Sequence, residues 1–280
     1  MPWLGRLATL FGAVLLVAGC SSGPPLPTGF ITGISVHRIN AGGHDRNYRL
    51  YTPAGMPASA PLVVMMHGYS SSAAQVESNY GWDELADSGK FVVAYPDGLS
   101  RAWNANGQGC CGRPAREGIN DVAFITAAVA DIAKNVGIDP ARVYATGMSN
   151  GGDMSYTLAC STDIFAAIGP VAGSQLSPCR SPRPASVMHI HGTADRLVPY
   201  GGGLGFGDVN TPPVSQVNAF WRSIDQCAAP AVVTEGLLTT STAACADSRS
   251  VVLTSIEQGG HVWPSFATQA LWAFFAAHPR

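Results

Sequence analysis

The chain has 280 residues, 46% of them hydrophobic and 12% charged, with 16 Lys and Arg against 18 Asp and Glu for a formal net charge of -2. This length and apolar content exclude a disordered tail and suffice for one large domain with a substantial core. Few, balanced charges supply no basic stripe for a phosphate backbone and argue against nucleic acid as a partner.

The longest apolar run, residues 7–19, follows the lone Arg6 and is too short to span a bilayer, so residues 1–19 are expected to be an export signal peptide. Val17-Ala18-Gly19-Cys20 sets two small residues before a cysteine and resembles the lipobox of bacterial lipoproteins. That resemblance implies cleavage before Cys20, lipid on its thiol and attachment to the membrane. Residues 20–33, with prolines at 24, 25 and 27, then read as the lipidated Cys and a tether, and 34–280 as the folded domain.

Along that domain, residues 34–39 and 48–52 alternate apolar and polar side chains, as half-buried strands do, and Ala41-Gly42-Gly43 supplies a hairpin turn between them. Residues 62–66 form a continuous apolar run bounded by Pro61 and Gly68, the pattern of a parallel strand covered on both faces. Similar runs follow at 91–95, 143–146, 165–171, 187–190 and 251–256. Helical patterns lie between them at 79–87, 121–135, 151–159, 214–223 and 268–277. Alternating strands and helices predict an α/β fold, a mostly parallel central sheet with helices on both faces. Residues 97–119 and 200–213 are expected to be long loops. Asp121, at the head of the 121–135 helix, is expected to cap it or favour its dipole.

Export would place the six cysteines other than Cys20 in an oxidising compartment. No Cys-x-x-Cys pair occurs, so three disulfides are expected rather than a metal site. Proximity in sequence suggests Cys160 with Cys179 and Cys227 with Cys245, leaving Cys110 with Cys111. Adjacent α carbons about 3.8 Å apart fall below the usual disulfide range.

One motif carries most of the chemical information. Gly147-Met148-Ser149-Asn150-Gly151 follows the 143–146 strand and opens a helix, the setting of a nucleophile elbow, where glycines permit a tight turn that lifts a serine hydroxyl clear of the sheet. A serine needs a base and an orienting acid. Of seven histidines, His37 and His44 lie by the first hairpin, His278 is near the end, and His67, His189 and His191 sit in or beside strands as structural imidazoles. His261 is on a loop just past a strand end and is the expected base. Asp195, after the 187–190 strand, is the expected acid. The oxyanion donors are expected to be the backbone N–H groups of Asn150 and Tyr69.

His67-Gly68, Trp103-Asn104, Cys110-Cys111-Gly112, Asp121-Val122, the Ser149 motif, His191-Gly192-Thr193, Val198-Pro199-Tyr200 and Gly259-Gly260-His261 with Trp263-Pro264 occur in one order. Together they resemble the polyhydroxybutyrate depolymerase and feruloyl esterase family, most closely its short bacterial lipoprotein-type members. The resemblance implies an α/β-hydrolase fold and a secreted serine esterase working through an acyl-enzyme. Its triad would be Ser149, Asp195 and His261. Its substrates would be short-chain, hydroxybutyrate-oligomer, feruloyl or acetyl esters. Trp263, and Trp103 from the long loop, would line the substrate pocket. No cofactor is implied. Two other classes compete: a non-catalytic surface lipoprotein retaining the fold, and a metallohydrolase built on His189, His191 and Asp195, since residues two apart on a strand share a face.

Overall fold

The computed structural model describes Met1, residues 31–105 and residues 110–280. The signal peptide read at 1–19, the lipidation site Cys20 and most of the tether lie outside the described residues.

The strands are β1 (Gly33–Ala41), β2 (His44–Thr52), β3 (Ala60–Met66), β4 (Val92–Pro96), β5 (Ile138–Met148), β6 (Ala167–Val171), β7 (Ser186–Gly192), the short pair β8 (Gly203–Leu204) and β9 (Asn210–Thr211), then β10 (Ala231–Glu235), β11 (Leu238–Ala244) and β12 (Ser250–Ile256). The helices are α1 (Ala73–Tyr80), α2 (Trp82–Gly89), α3 (Gly112–Glu117), α4 (Asp121–Asn135), α5 (Asn150–Ser161), α6 (Val214–Ile224) and α7 (Ala267–Ala277). All strands but β8 and β9 form one sheet in the order β1-β2-β4-β3-β5-β6-β7-β12-β11-β10. It is parallel from β4 through β12, with antiparallel strands at each edge.

The period of two in β3 separates the core into two layers. Leu62, Val64 and Met66 join Phe124 of α4, Met154 of α5 and Trp221 of α6. Val63 and Met65 join Val76 of α1, Trp82 of α2 and Phe275 of α7 on the other face. Every side chain of β3 is buried, which is why its sequence shows no polar alternation.

The structure departs from the sequence expectations in five places. The helix expected at 79–87 is the C-terminus of α1 and most of α2, separated by Gly81, whose φ of +67° lies in the left-handed region that glycine enters without steric cost. The 97–119 segment is not free of structure, since it contains α3. The 200–213 segment contains the β8–β9 pair. The hairpin of β10 and β11 extends the sheet beyond β12. All of β10 is exposed, so no buried apolar run marks it. Asp121 is more than a first-turn residue: it is buried and paired with Arg46 at 2.7 Å, and it accepts the Asn104 N–H at 2.8 Å. Asn120 makes the cap, accepting the Ala123 N–H at 2.9 Å.

The three disulfides pair as the sequence suggests: Cys160–Cys179, Cys227–Cys245 and Cys110–Cys111. The peptide between Cys110 and Cys111 is cis, so their α carbons stand 2.9 Å apart, not at the trans spacing.

Candidate active site

Ser149 occupies the turn from β5 into α5 with φ 54° and ψ -122°, a region that non-glycine residues rarely enter. Such a conformation costs on the order of 1–3 kcal/mol and persists only where the surroundings over-determine it. Here the Ser149 N–H donates to Val171 O at 2.8 Å. The flanking glycines are a packing requirement. A Cβ on Gly147 would lie 2.5 Å from the Gly151 carbonyl, and one on Gly151 would lie 2.3 Å from Met66 O. Only without those side chains does the start of α5 seat against the end of β3.

Asp195 and His261 come from loops following the neighbouring parallel strands β7 and β12. Those loops are stapled together by Thr193 N–H to Ile256 O and Ala194 N–H to Gly259 O, both 2.9 Å, and by Gln258 N–H to Thr193 Oγ1 at 2.9 Å. Asp195 Oδ2 lies 2.8 Å from His261 Nδ1, and Oδ1 accepts the Leu197 and Val198 N–H groups at 2.8 and 2.9 Å. Burial pushes the Asp195 carboxyl up, but hydrogen bonds from His191, His261 and Val198 N–H outweigh it and hold the group well below the usual carboxylate range. It is an anion facing one edge of the imidazole, which leaves His261 Nε2 as the other ring nitrogen.

Ser149 and His261 line one cavity of about 390 Å³. No hydrogen bond joins Ser149 Oγ to the ring among the described residues, and serine–histidine bonds are often long in ligand-free sites. Leu176, Leu197, Phe206 and Val209 make the walls apolar, and Tyr69, Tyr80 and Asp153 also face the cavity. Asp153, Tyr80, Leu176 and Phe206 were not singled out by the sequence. The available signal was Asp153's place four residues after Ser149, on the same face of α5.

Tyr69 follows Gly68, where a Cβ would stand 3.5 Å from that of Ser149, so this loop runs beside the serine. Among the described residues neither the Tyr69 nor the Asn150 N–H has a hydrogen-bond partner. The two tryptophans stand differently from the expectation. Trp103 is fully buried, its indole N–H donating to His67 O at 2.8 Å and its ring stacked on Phe124, so it supports the site from behind rather than lining it. Trp263 stacks on Tyr80 with ring centroids 4.4 Å apart, one layer behind the cavity wall. The side chain of a residue that must hold neighbouring main chain is not free to meet a ligand.

The histidines of the metallohydrolase reading are occupied with each other. His189 Nε2 lies 2.9 Å from His191 Nδ1, His189 Nδ1 meets Tyr156 Oη at 2.9 Å, and His191 Nε2 meets Val198 O at 2.8 Å, closer than Asp195 Oδ2 at 3.4 Å. All four ring nitrogens are in hydrogen bonds, and burial together with His191 holds His189 well below its ordinary pKa. Among the described residues the one grouping with metal-ligand spacing is Cys110, Cys111 and Asp153. Its two sulfurs are bonded to each other and offer no thiolate.

Comparison with known proteins agrees with this architecture. The family model for esterase PHB depolymerase matches residues 46–200. The chain is 33% identical over 258 residues to a putative esterase NocK of Nocardia uniformis subsp. tsuyamanensis, covering 82% of this chain and 74% of the relative. It is 30% identical over 276 residues to feruloyl esterase C of Emericella nidulans, covering 92% and 90%. In three dimensions it is similar to an acetyl xylan esterase from Aspergillus awamori, with a TM-score of 0.67, 15% identity and coverage of 87% and 99%. That likeness is one of fold, the α/β-hydrolase fold. The chain belongs to the PHB depolymerase family of esterases and is a carboxylic ester hydrolase.

Proposed function

We propose that the protein is a serine esterase in which Ser149 is the nucleophile, His261 the general base and Asp195 the residue that orients and charge-stabilises the imidazole. The observation that carries this reading is the 2.8 Å contact of Asp195 Oδ2 with His261 Nδ1 at the rim of the cavity that also holds Ser149 on its strained turn. Ser149 Oγ attacks the ester carbonyl carbon as its proton passes to His261 Nε2. The carbon–oxygen bond to the alcohol then breaks, and the same proton goes to the departing oxygen. Water, deprotonated by His261, releases the acid and restores the serine. The N–H groups of Tyr69 and Asn150, without partners among the described residues, serve the oxyanion, an interaction worth about a hundredfold to a thousandfold in rate per donor.

The substrates we assign are soluble short-chain or aryl esters of the hydroxybutyrate, acetyl or feruloyl kind. The cavity of about 390 Å³ and its apolar walls support this size and character. Export is part of the same reading. It rests on the apolar segment at 7–19, on Cys20 as a lipid-bearing residue and on three disulfides that suit an oxidising compartment. Among the described residues no helix is long and apolar enough to cross a membrane. A fluorophosphonate probe should label Ser149 and no other residue, and p-nitrophenyl butyrate hydrolysis should stop when it does; turnover persisting after complete labelling would refute the assignment.

A further inference from the structure

Asp153 lies one helical turn beyond Ser149 and lines the same cavity as Ser149 and His261. It is only 3% exposed. Its Oδ1 accepts the Ser174 N–H at 2.7 Å. Its Oδ2 has Cys110 Sγ at 4.0 Å, and that sulfur, bonded to Cys111, has no proton to donate. The Asn150 amide gives the carboxylate some support, but its short hydrogen bonds, 2.7 and 3.1 Å, go to the main chain of Trp103. Burial pushes the Asp153 carboxyl up to about 7, against the pull of the Ser174 N–H and the Asn150 side chain. The walls of the cavity around it are mostly apolar, so Oδ2 is a polar atom withdrawn from bulk water with no strong partner of its own among the described residues. Such a group costs free energy until a ligand supplies the missing bond.

We propose that Asp153 is a specificity-determining residue: through Oδ2 it hydrogen-bonds a hydroxyl group carried by an otherwise apolar ester, and so selects hydroxylated esters over plain ones. This rests on the serine-esterase reading of the cavity. A hydroxyl is the group that serves Asp153 in either charge state, donating to the carboxylate and accepting from the acid. A ketone oxygen can meet only the acid, and an ammonium only the carboxylate. The hydroxyl could sit on the acyl or on the alcohol half of the ester, and the two sources are separable by substrate.

The test is kcat/KM at pH 8 for methyl butanoate, methyl 3-hydroxybutanoate, methyl 3-oxobutanoate, 2-hydroxyethyl butanoate and the methyl ester of 3-aminobutanoate, with the wild type, Asp153→Asn and Asp153→Leu. For the wild type, one hydroxylated ester should exceed methyl butanoate and the oxo ester by roughly tenfold or more, the gain expected when a site built for a hydroxyl finds one. Whether that is the acyl-hydroxyl or the alcohol-hydroxyl ester identifies the half that is read. Asp153→Leu should bring the ratio to near one. That variant strands the Ser174 N–H and risks misfolding, so Asp153→Asn is the deciding arm. Its Oδ1 keeps the Ser174 bond and its amide turns a donor to the cavity, which should raise the oxo ester to the level of the hydroxy ester or above it. No hydroxyl preference in the wild type, a preference for the amino ester, or a hydroxy-to-oxo ratio unchanged in Asp153→Asn would each overturn the role of Asp153. Wild-type protein that hydrolyses none of these esters and leaves Ser149 unlabelled by fluorophosphonate would bring down the esterase reading instead.

Discussion

Asn150 grips the main chain of Trp103 from both sides, its Oδ1 accepting the Trp103 N–H at 2.7 Å and its Nδ2 donating to the Trp103 carbonyl at 3.1 Å. Trp103 in turn donates its indole N–H to His67 O, two residues before Tyr69. The residue next to Ser149 thus helps set the loop that bears the other proposed oxyanion donor. Asn150→Ala leaves the buried Trp103 N–H without a partner, at a cost of about 1–3 kcal/mol, while the Trp103 carbonyl keeps the Cys111 N–H at 3.3 Å. We expect a lower melting temperature and a kcat that falls more than KM rises. Asn150→Asp keeps the acceptor and should lose less. Equal thermal stability of wild type and Asn150→Ala would show that water replaces both bonds.

Because a serine acts only with its base, Ser149→Ala and His261→Ala should each lose more than about 10³-fold in kcat, with the double variant hardly worse. Asp195→Asn keeps the shape but removes the charge beside His261 Nδ1 and should also be severely impaired. Steady-state hydrolysis of p-nitrophenyl butyrate checks all four proteins, and additive losses in the double variant would contradict a serine–histidine unit.

Asp153 also makes stability depend on pH. Its carboxyl titrates near 7 when folded, above the roughly 3.9 of an unfolded aspartate. Between those values the folded chain holds the extra proton, so its contribution to stability is present at pH 4 and declines as pH rises to about 7. The groups bonded to it, Ser174 N–H and the Asn150 amide, are uncharged, and the titratable side chains near it are Tyr69, Tyr80 and His261 of the same cavity and the buried Tyr156. Asp153→Asn should therefore gain melting temperature relative to wild type on going from pH 5 to pH 8. A difference independent of pH in calorimetry would mean that the carboxyl is not protonated in the folded state.

The bridge between Cys160, near the end of α5, and Cys179 spans 19 residues. In the chain-entropy model a loop of that size is worth roughly 3 kcal/mol. Cys160→Ser with Cys179→Ser should unfold at lower urea with a similar m value. An unchanged midpoint would show that the unfolded state gains nothing from being freed.

The parallel core was legible because full burial leaves a plain mark: residues 62–66 are an unbroken apolar run, 143–145 are another, and the 121–135 helix has its apolar stripe. The elbow at Ser149 was legible because steric crowding admits only glycine at 147 and 151. What escaped notice was structure held by polar or exposed residues. β10 and β11 carry the β-branched runs Val232-Val233-Thr234 and Thr239-Thr240 about Gly236, a hairpin signal, but β10 is exposed and β11 only half-buried, so neither shows a buried apolar run. Trp103 was read by its aromatic character as a ligand contact, whereas its neighbours His67, Phe124 and Asn150 are brought together only by the fold. The Arg46–Asp121 pair, 75 residues apart in sequence, has no local signature at all.

The three proposed catalytic side chains are spread over the ends of β5, β7 and β12, and β12 takes its place by pairing with β7, Val251 beside Val187. In order of synthesis the nucleophile comes first and its base last. A chain still being synthesised therefore carries the proposed nucleophile before the proposed base exists. The proposed triad is complete only once β12 has docked on β7 and Gly259 has closed against Gly192, so the appearance of esterase activity would report the docking of that strand.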